Sequence, residues 1–279
     1  MSAPNGIQGA LTVDLEEWFQ GLTSTNPRVD LWPGLASRVV PSTQALLELL
    51  AGHRVHSTFF VLGAVAERHP ELVRQVADAG HEIAVHGHNH RFVSRMSPAE
   101  FESELDRGLE AIERATGCRV QGHRAPYFSI NGTTPWAFDI LRDRGLVYDS
   151  SVFPARARLY GYPGAPRQPH RVGDGQGLLE FPVSTLQLGR ARLPVGGGFY
   201  VRALPYPLIR WALRRIAGEG LPIVLYLHPW ELDLDQPPHP MTPRERVTHR
   251  HGRRSLRPKL ERLLREFRLG RLEELLGTA

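Results

Sequence analysis

The 279-residue sequence predicts an α/β fold in which a parallel sheet is covered by crossover helices. The first observation is that short apolar segments typical of strands alternate with segments of helical periodicity. The second is the composition, 41% hydrophobic and 23% charged, which is typical of a soluble globular protein with a large core. We find no internal repeat and no clean linker. We therefore expect one domain over residues 1–279, with its core at about 7–230 and a C-terminal extension at 231–279.

The first half of the chain contains the clearest elements. The strongest helix signal begins at Ser97, which can cap a helix, because Pro98 fits the first turn and Glu100 completes a capping box. Gly117 ends this helix. Ser42 is a further predicted cap, and the other segments are assigned from their period and flanking glycines. We predict strands at 7–13, 56–62, 81–85 and 120–123, and helices at 42–52, 63–79, 97–115 and 135–144.

The second half continues the alternation after one interruption. Residues 154–177 are dense in proline and glycine and predict a long loop, and such loops in compact domains are usually functional or mobile. The last segment has the spacing of an amphipathic helix. We predict strands at 145–148, 178–188 and 221–227, and helices at 204–217 and 256–276.

The chain carries a net charge of +5, and Lys259 is its only lysine. Much of the basic excess lies between Arg244 and Arg271, where a basic helical tail could contact an anionic polymer or a membrane surface. A solvated helix face is the simpler interpretation. No basic motif with interleaved aromatic residues indicates nucleic-acid binding.

Cysteine usage and the termini give further expectations. Cys118 is the only cysteine, so no internal disulfide can form. Residues 1–6 do not resemble a secretory signal, and no run of about 18 apolar residues predicts a membrane span. We therefore expect a cytoplasmic protein, with peripheral membrane contact as the alternative.

His86 and His90 form the most informative local motif, because they lie four residues apart just after a predicted strand. Neutral imidazoles placed in this way can converge on one metal ion. A carboxylate from another strand end, Asp14 or Glu16, would complete a three-ligand site with a position open for water. The chain has 13 histidines, however, and a histidine-rich surface loop is the more common explanation of a single pair.

Four predicted strands end in polar segments, which makes the interpretation more specific. In a barrel of parallel strands the carboxyl ends form one face, and catalysis takes place there. The four segments could therefore meet although they are distant in sequence. They are Asp14 with Glu16, His86 with His90, Arg124–Tyr127 and Leu227–Glu231.

These segments resemble motifs of the polysaccharide deacetylases of the NodB-homology type, also called carbohydrate esterase family 4. The metal-binding His-x-x-x-His motif corresponds to His86 and His90, and the late histidine motif to Leu225 or Leu227 leading to His228. The Arg-x-Pro-Tyr motif corresponds to Arg124–Tyr127. The resemblance covers nearly the whole chain and implies a distorted (β/α) barrel of about seven parallel strands with a C-terminal helical extension.

Three stretches resemble, more narrowly, a subgroup associated with exosortase-linked exopolysaccharide loci. That resemblance implies a polysaccharide N-deacetylase, a hydrolase of carbon–nitrogen bonds other than peptide bonds, acting on an exopolysaccharide or its lipid-linked precursor. The N-acetylated glycan would be its partner. The stretches are Val13–Phe19, Gly196–Arg202 and Leu227–Glu231.

One position departs from the family pattern. The family usually has two adjacent aspartates, the first a general base and the second a metal ligand; Asp14 matches the first, but Leu15 stands at the second. Some relatives place the ligand one residue later, which makes Glu16 the ligand. Residues i and i+2 of a strand share a face, so Asp14 and Glu16 can face one metal ion. Glu17, or no carboxylate ligand at all, stays open as an alternative.

The resemblance also implies roles for the remaining site residues. Asp14 would be the general base, oriented by Arg124, and His228 would protonate the departing amine. The backbone N–H of Tyr127, which follows Pro126, would hold the oxyanion together with the metal ion.

Two further residues and the cofactor complete these expectations. Trp230 and Tyr127 could stack on sugar rings, although a buried aromatic residue beside the site is the more common outcome. Asp149 could pair with Arg124, orient His228 or serve as a cap. Zinc is the expected cofactor, with Co²⁺, Ni²⁺ or Fe²⁺ also compatible with the ligands. A metal-dependent amidohydrolase acting on a small amide and a non-catalytic carbohydrate-binding relative, the latter suggested by Leu15, are the alternative functions.

Overall fold

The computed structural model describes residues 6–25, 28–156, 161–173 and 177–278. Residues 157–160 and 174–176 of the predicted 154–177 loop, and residues 1–5 of the N-terminal segment, lie outside this part. Eleven strands are found in the described ranges. They are β1 (Gly9–Leu15), β2 (Thr58–Val61), β3 (Glu82–Val85), β4 (Gly122–His123), β5 (Tyr148–Asp149), β6 (His170–Val172), β7 (Leu178–Glu180), β8 (Thr185–Leu188), β9 (Ala191–Pro194), β10 (Ile223–Leu227) and β11 (Leu269–Gly270).

The main sheet has the strand order β10-β1-β2-β3-β4-β5-β7-β6, and its first seven strands are parallel neighbours. Only β6 runs antiparallel, on the outer side of β7. No pairing joins β10 to β6 in the described ranges, so the barrel is open between its edge strands. The predicted distorted (β/α) barrel of about seven parallel strands is confirmed.

Helices connect the strands and cover the outside of the sheet. The predicted capping box of α4 is present, since Ser97 and Glu100 bond to each other's backbone N–H groups, and Gly117 ends the helix at φ 72°. The α-helices are α1 (Val39–His53), α2 (Gly63–Arg68), α3 (Pro70–Asp78), α4 (Pro98–Thr116), α5 (Trp136–Asp143), α6 (Gly198–Ala203), α7 (Tyr206–Gly218), α8 (Pro243–Arg250) and α9 (Arg253–Glu266).

Several element boundaries differ from the prediction. The helix expected at 63–79 is two helices, because Pro70 cannot continue the hydrogen-bond ladder and begins α3. Ser42 lies inside α1 and donates to the Arg38 carbonyl, so its predicted cap is wrong. The segment 178–188 is interrupted between β7 and β8, and β8 instead forms an antiparallel hairpin with β9.

The C-terminal segment differs most from the helix predicted at 256–276. Helix α9 ends at Glu266, and the chain then returns to the sheet as β11, which pairs with Gly9 and Ala10 of β1. Leu272 follows and is fully buried against Phe60 and Ala84. The end of the C-terminal extension is therefore an integral part of the barrel.

The core lies between the sheet and its surrounding helices. Strands β1, β2 and β10 are buried along their whole length, as expected for parallel strands covered on both faces. Strands β1 and β10 come from opposite ends of the chain and pair over five residues. Among the described residues, no helix is long and apolar enough to cross a membrane.

Candidate metal and active site

The end of β1 carries two acidic side chains into one cavity. Asp14 and Glu16 are almost completely buried, and both line a cavity of about 440 Å³ at the carboxyl ends of the strands. Leu15 between them is buried in the hydrophobic core, as side-chain alternation requires. Glu17 is directed elsewhere and accepts hydrogen bonds from Ser37 Oγ and the Arg38 N–H at the start of α1.

Glu16, His86 and His90 bring three possible ligand atoms within 4.8 Å of one another. His90 Nε2 lies 2.6 Å from Glu16 Oε2, and all three side chains are buried. His86 Nδ1 lies 2.8 Å from the Arg124 carbonyl oxygen, so it donates there and leaves Nε2 as the free lone pair. Many metal-binding histidines donate from their other ring nitrogen in this way, and the bond fixes the orientation of the ring.

The electrostatics of this group suit a divalent cation. Burial by itself would raise the pKa of Glu16, but His90 and His228 outweigh it and lower that pKa to about 2. Burial lowers the pKa of His86 well below its ordinary value, which keeps the imidazole neutral. An ionised carboxylate with a neutral imidazole is the donor chemistry that zinc and related ions require. The three residues therefore fit a metal ion.

Asp14 is held by a fully buried arginine. Arg124 Nη1 donates to Asp14 Oδ1 and to Thr12 Oγ1, each at 2.7 Å, and its other nitrogens donate to the Ser150 carbonyl and hydroxyl groups. The guanidinium carbon also lies 4.1 Å from the centre of the Phe60 ring. These contacts hold the Arg124 guanidinium group in one position. The guanidinium group in turn holds the Asp14 carboxylate in place.

His228 faces the two carboxylates from the end of β10. Its Nε2 lies 3.6 Å from Glu16 Oε1 and 3.9 Å from Asp14 Oδ2, and its Nδ1 lies 2.8 Å from Glu231 Oε1. Burial alone would lower the pKa of His228, but Glu16, Glu231 and Asp14 together raise it to about 9. The imidazole is therefore protonated at neutral pH.

Glu231 and Arg202 end two of the stretches that carry the resemblance, but the sequence analysis assigned neither of them a role in the site. Arg202 Nε donates to Glu231 Oε2 at 2.5 Å, and both side chains are almost fully buried. The order His-Pro-Trp-Glu carries a usable signal, since His228 and Glu231 form a capping box over a short helical turn. No sequence signal pairs Arg202 with Glu231, because the two residues are brought together only by the packing of α6 on the end of β10.

Aromatic residues form the walls of the cavity. Trp230 is 7% exposed, stacks on His249 with ring centres 4.2 Å apart, and donates from its indole nitrogen to Glu16 Oε1 at 3.2 Å. Its predicted role as a sugar platform does not fit this burial, and its indole instead orients Glu16. Tyr127 stacks on Phe92, and its hydroxyl donates to a backbone carbonyl.

Backbone strain is concentrated beside the cavity. Four described non-glycine residues have positive φ, and three of them are His90 (52°), Tyr127 (58°) and Phe128 (49°). This conformation costs non-glycine residues energy, and such strain is typical of functional sites. The sharp turn at 126–128 directs Tyr127 into the cavity, which it lines together with His86 and His90.

Three predicted site residues, Arg124, Asp149 and Pro126, lie outside the cavity lining. Asp149 is completely buried, where it lies 2.7 Å from His123 Nδ1 and accepts from Ser151, so it neither pairs with Arg124 nor reaches His228. Of the roles expected for Asp149, the turn cap fits the structure, since the carboxylate accepts from the N–H and the hydroxyl group of Ser151. Pro126 is also buried and packs beside Gly87.

The candidate site is divided between two matched families. Residues 31–147 match the family model described as polysaccharide deacetylase, and residues 150–277 match a domain of unknown function, DUF3473. The first range contains His86, His90 and Arg124, the second contains His228, and Asp14 and Glu16 precede both.

Curated relatives match one segment of the chain. A chitooligosaccharide deacetylase of Bradyrhizobium sp. is 41% identical over 86 residues, which are 30% of this chain and 39% of that protein. A peptidoglycan-N-acetylglucosamine deacetylase of Bacillus cereus is 32% identical over 88 residues, 32% of each. The chain thus spans about two fifths or less of these relatives.

Solved structures match the whole chain. A structure from Mycobacterium smegmatis assigned to the polysaccharide deacetylases superposes with a TM-score of 0.66 and 26% identity, covering 100% of this chain and 92% of that one. A family 4 carbohydrate esterase from Streptomyces lividans gives a TM-score of 0.50 at 18% identity, covering 99% and 91%, and shows the shared fold. By sequence, residues 31–147 therefore match the polysaccharide deacetylase family, and the whole chain has the fold of the two solved structures.

Proposed function

We propose that the protein is a metal-dependent deacetylase that hydrolyses N-acetyl groups of amino sugars. The observation that supports this proposal is the single cavity in which Glu16, His86 and His90 adjoin the Asp14–Arg124 pair and His228. Binding alone would need neither an oriented carboxylate nor a protonated imidazole. The activities named for the curated relatives, on chitooligosaccharide and peptidoglycan, belong to the same reaction class.

The metal ion would be held by Glu16, His86 and His90, with zinc as our first expectation and Co²⁺, Ni²⁺ or Fe²⁺ as alternatives. Such an ion supplies Lewis-acid chemistry, because it polarises an amide carbonyl and lowers the pKa of water. Trp230 contributes by donating to Glu16, which keeps one carboxylate oxygen in a fixed direction.

Asp14 is the proposed general base. It lies two residues from Glu16 on the same face, so it reaches a water molecule beside the ligand group, and Arg124 prevents its carboxylate from rotating away. The backbone N–H of Tyr127 is the proposed donor to the oxyanion, since the left-handed turn at this residue brings its backbone to the cavity.

His228 is the proposed general acid. An amine leaves an amide carbon poorly as an anion, so the nitrogen of the sugar must be protonated as the bond breaks. His228 can supply that proton because Glu231 accepts from its Nδ1 and leaves Nε2 facing Asp14 and Glu16. Asp14 and His228 thus lie side by side in the cavity, with His228 Nε2 3.9 Å from Asp14 Oδ2.

We infer a polysaccharide, or its lipid-linked precursor, as the substrate class. The resemblance of Gly196–Arg202 and Leu227–Glu231 to exopolysaccharide-locus relatives supports an exopolysaccharide in particular. The cavity lining includes Phe199 and Tyr200, which could contact a sugar ring, and Arg156 and Arg244 near its outer part. A small cyclic amide would leave these residues without contact.

The test is acetate release from N-acetylglucosamine oligomers and from the isolated polymer, with metal content measured on the same samples. We expect Asp14→Asn to retain the metal and lose turnover by about a thousandfold or more. Glu16→Gln should lose the metal and activity together, because the variant removes the negative ligand.

Glu17→Gln is the matched control, since Glu17 faces Ser37 and Arg38 rather than the cavity. A Glu17→Gln variant that loses metal would contradict the ligand assignment. Turnover of small amides alone would favour the amidohydrolase alternative, and glycan binding without hydrolysis under any metal would favour a non-catalytic relative.

A further inference from the structure

A second cleft, of about 510 Å³, lies at the start of α9 and shares no lining residue with the candidate active site. Three arginines line it, Arg250, Arg253 and Arg254, together with Gln236 and Gly252. The descriptions of the two matched families assign no role to these residues. The deacetylation proposed above does not involve them either.

Arg253 is the central residue of this cleft because it is buried with unmet hydrogen bonds. It is 9% exposed, and its Nη1 donates to Gln236 Oε1 at 3.0 Å. Its Nε and Nη2 have no hydrogen-bond partner among the described residues. Burial lowers the pKa of Arg253 to about 10, which still leaves it charged at neutral pH. Both of these nitrogens are closed to solvent, so Arg253 acts on the cleft through its positive charge rather than through open donors.

The surroundings add positive potential, which the carboxylates of Asp233 and Glu231 offset only in part at Arg253. Arg250 and Arg254 are exposed, and no described carboxylate forms an ion pair with either. Asp233 on the nearby loop is already bound to Arg38 through two hydrogen bonds. The cleft thus combines three cations, and no carboxylate is among its lining residues.

The N-terminus of α9 opens into the same cleft. This helix has 14 residues, and Gly252 at its N-cap position provides no side-chain cap. The first N–H groups of an uncapped helix and the positive end of its dipole favour anions. Gly252 is also required for space, since a Cβ there would lie 2.8 Å from the Arg202 carbonyl carbon.

We propose that this cleft binds the phosphate group of an anionic ligand. A guanidinium fork satisfies two phosphate oxygens at once, and a helix N-terminus satisfies a third, which matches a tetrahedral oxyanion. The phosphate could belong to a small soluble compound or to a lipid headgroup. The proposal is independent of the deacetylase function.

The experiment is calorimetric titration of the full chain with inorganic pyrophosphate, and separately with phosphatidic acid vesicles. The background is the His86→Ala variant with no metal added, so that the candidate metal site does not contribute. We expect Arg250→Gln combined with Arg254→Gln to weaken binding at least roughly tenfold, since each removes a charge-assisted bond. Affinity should also fall as salt is raised.

Two single variants serve as matched controls and should bind as the background does. Arg257→Gln removes an exposed charge of the same helix, and Arg244→Gln removes one from the other cavity. Pyrophosphate binding identifies a soluble phosphate ligand, and binding to vesicles alone identifies a headgroup. No binding to either probe, or equal loss in the double variant and the controls, would overturn the proposal.

Discussion

The position of the candidate carboxylate ligand follows from the two-residue period of a strand. Leu15 stands where the family usually has its second aspartate, and the structure directs that side chain into the core. Glu16 then faces the cavity beside Asp14, which compensates for the substitution at position 15. Leu15, which suggested a non-catalytic relative, is therefore consistent with a site that has all three of its candidate metal ligands.

A series of contacts at the residue scale links His228 to Glu231 and Glu231 to Arg202. Arg202 neutralises Glu231 and also donates to the Thr248 and His251 carbonyls at the end of α8. Glu231 is thus fixed on one side by Arg202 and on the other by the ring of His228. The direction of the imidazole depends on a carboxylate three residues away.

We expect Glu231→Gln to lower kcat by about 10- to 100-fold while KM changes little, because the variant weakens the orientation of His228 without removing a substrate contact. Initial rates on an N-acetylglucosamine oligomer measure both constants. Glu261→Gln, on the surface of α9, is the control. A folded Glu231→Gln variant with unchanged kcat would show that His228 does not need this partner.

At the scale of elements, the turn Gly196–Gly198 lets α6 approach the end of β10. A Cβ at Gly197 would clash with the Tyr226 ring, and one at Gly198 would overlap the Glu231 carboxylate. Neither glycine has positive φ, so the requirement is space rather than backbone conformation. The glycines allow Arg202 on α6 to reach Glu231.

We expect Gly198→Ala to lower kcat and to destabilise the fold by about 1–3 kcal/mol, because the added methyl group displaces Glu231. Thermal unfolding and steady-state kinetics measure the two effects. Gly218→Ala, at the end of α7, is the matched control, since a Cβ there meets no atom within 4 Å. Equal behaviour of the two variants would contradict the packing argument.

Local signals predicted some elements well and others poorly. The Ser97–Glu100 capping box and Gly117 defined α4 to within one residue, because both ends carry their own hydrogen-bonding residues. The break between β7 and β8 and the β8–β9 hairpin lacked such signals. Their strands are short, and tertiary pairing rather than propensity determines where they end.

At the scale of the whole molecule, the C-terminal segment is bound to the sheet near Glu82. Tyr148 donates to Glu82 Oε1 at 2.6 Å, and Thr58 and the Glu273 N–H donate to Oε2. The Leu272 N–H in turn donates to Thr58. The last residues of the chain are thereby bound to two central strands through one buried carboxyl group.

Burial, the largest cause, raises the pKa of Glu82 to about 7 from an ordinary 4.5, although the bonds from Thr58 and Tyr148 oppose it. The folded protein therefore keeps a proton that the unfolded chain has already lost between about pH 4.5 and 7. Unfolding releases that proton, so the contribution of Glu82 to the free energy of unfolding falls as pH rises through this window.

We expect Glu82→Gln to be more stable than the wild type at pH 8, by up to roughly 3 kcal/mol, and nearly equal to it at pH 4. Chemical unfolding at the two pH values measures the difference. Glu48→Gln, an exposed position on α1, controls for the loss of one charge. If the stability difference between Glu82→Gln and the wild type did not depend on pH, the raised pKa of Glu82 would be contradicted.

The sequence by itself determined the alternation of strands and helices, the four polar strand ends and the shared face of Asp14 and Glu16. These follow from local periodicity and from the geometry of parallel strands, which need no knowledge of distant contacts. Only the tertiary structure decided that Glu231 and Arg202 support His228, that Trp230 and Asp149 are buried, and that β11 pairs with β1. Those outcomes depend on which surfaces pack together, and side-chain packing between segments far apart in the chain leaves no periodic trace in the sequence.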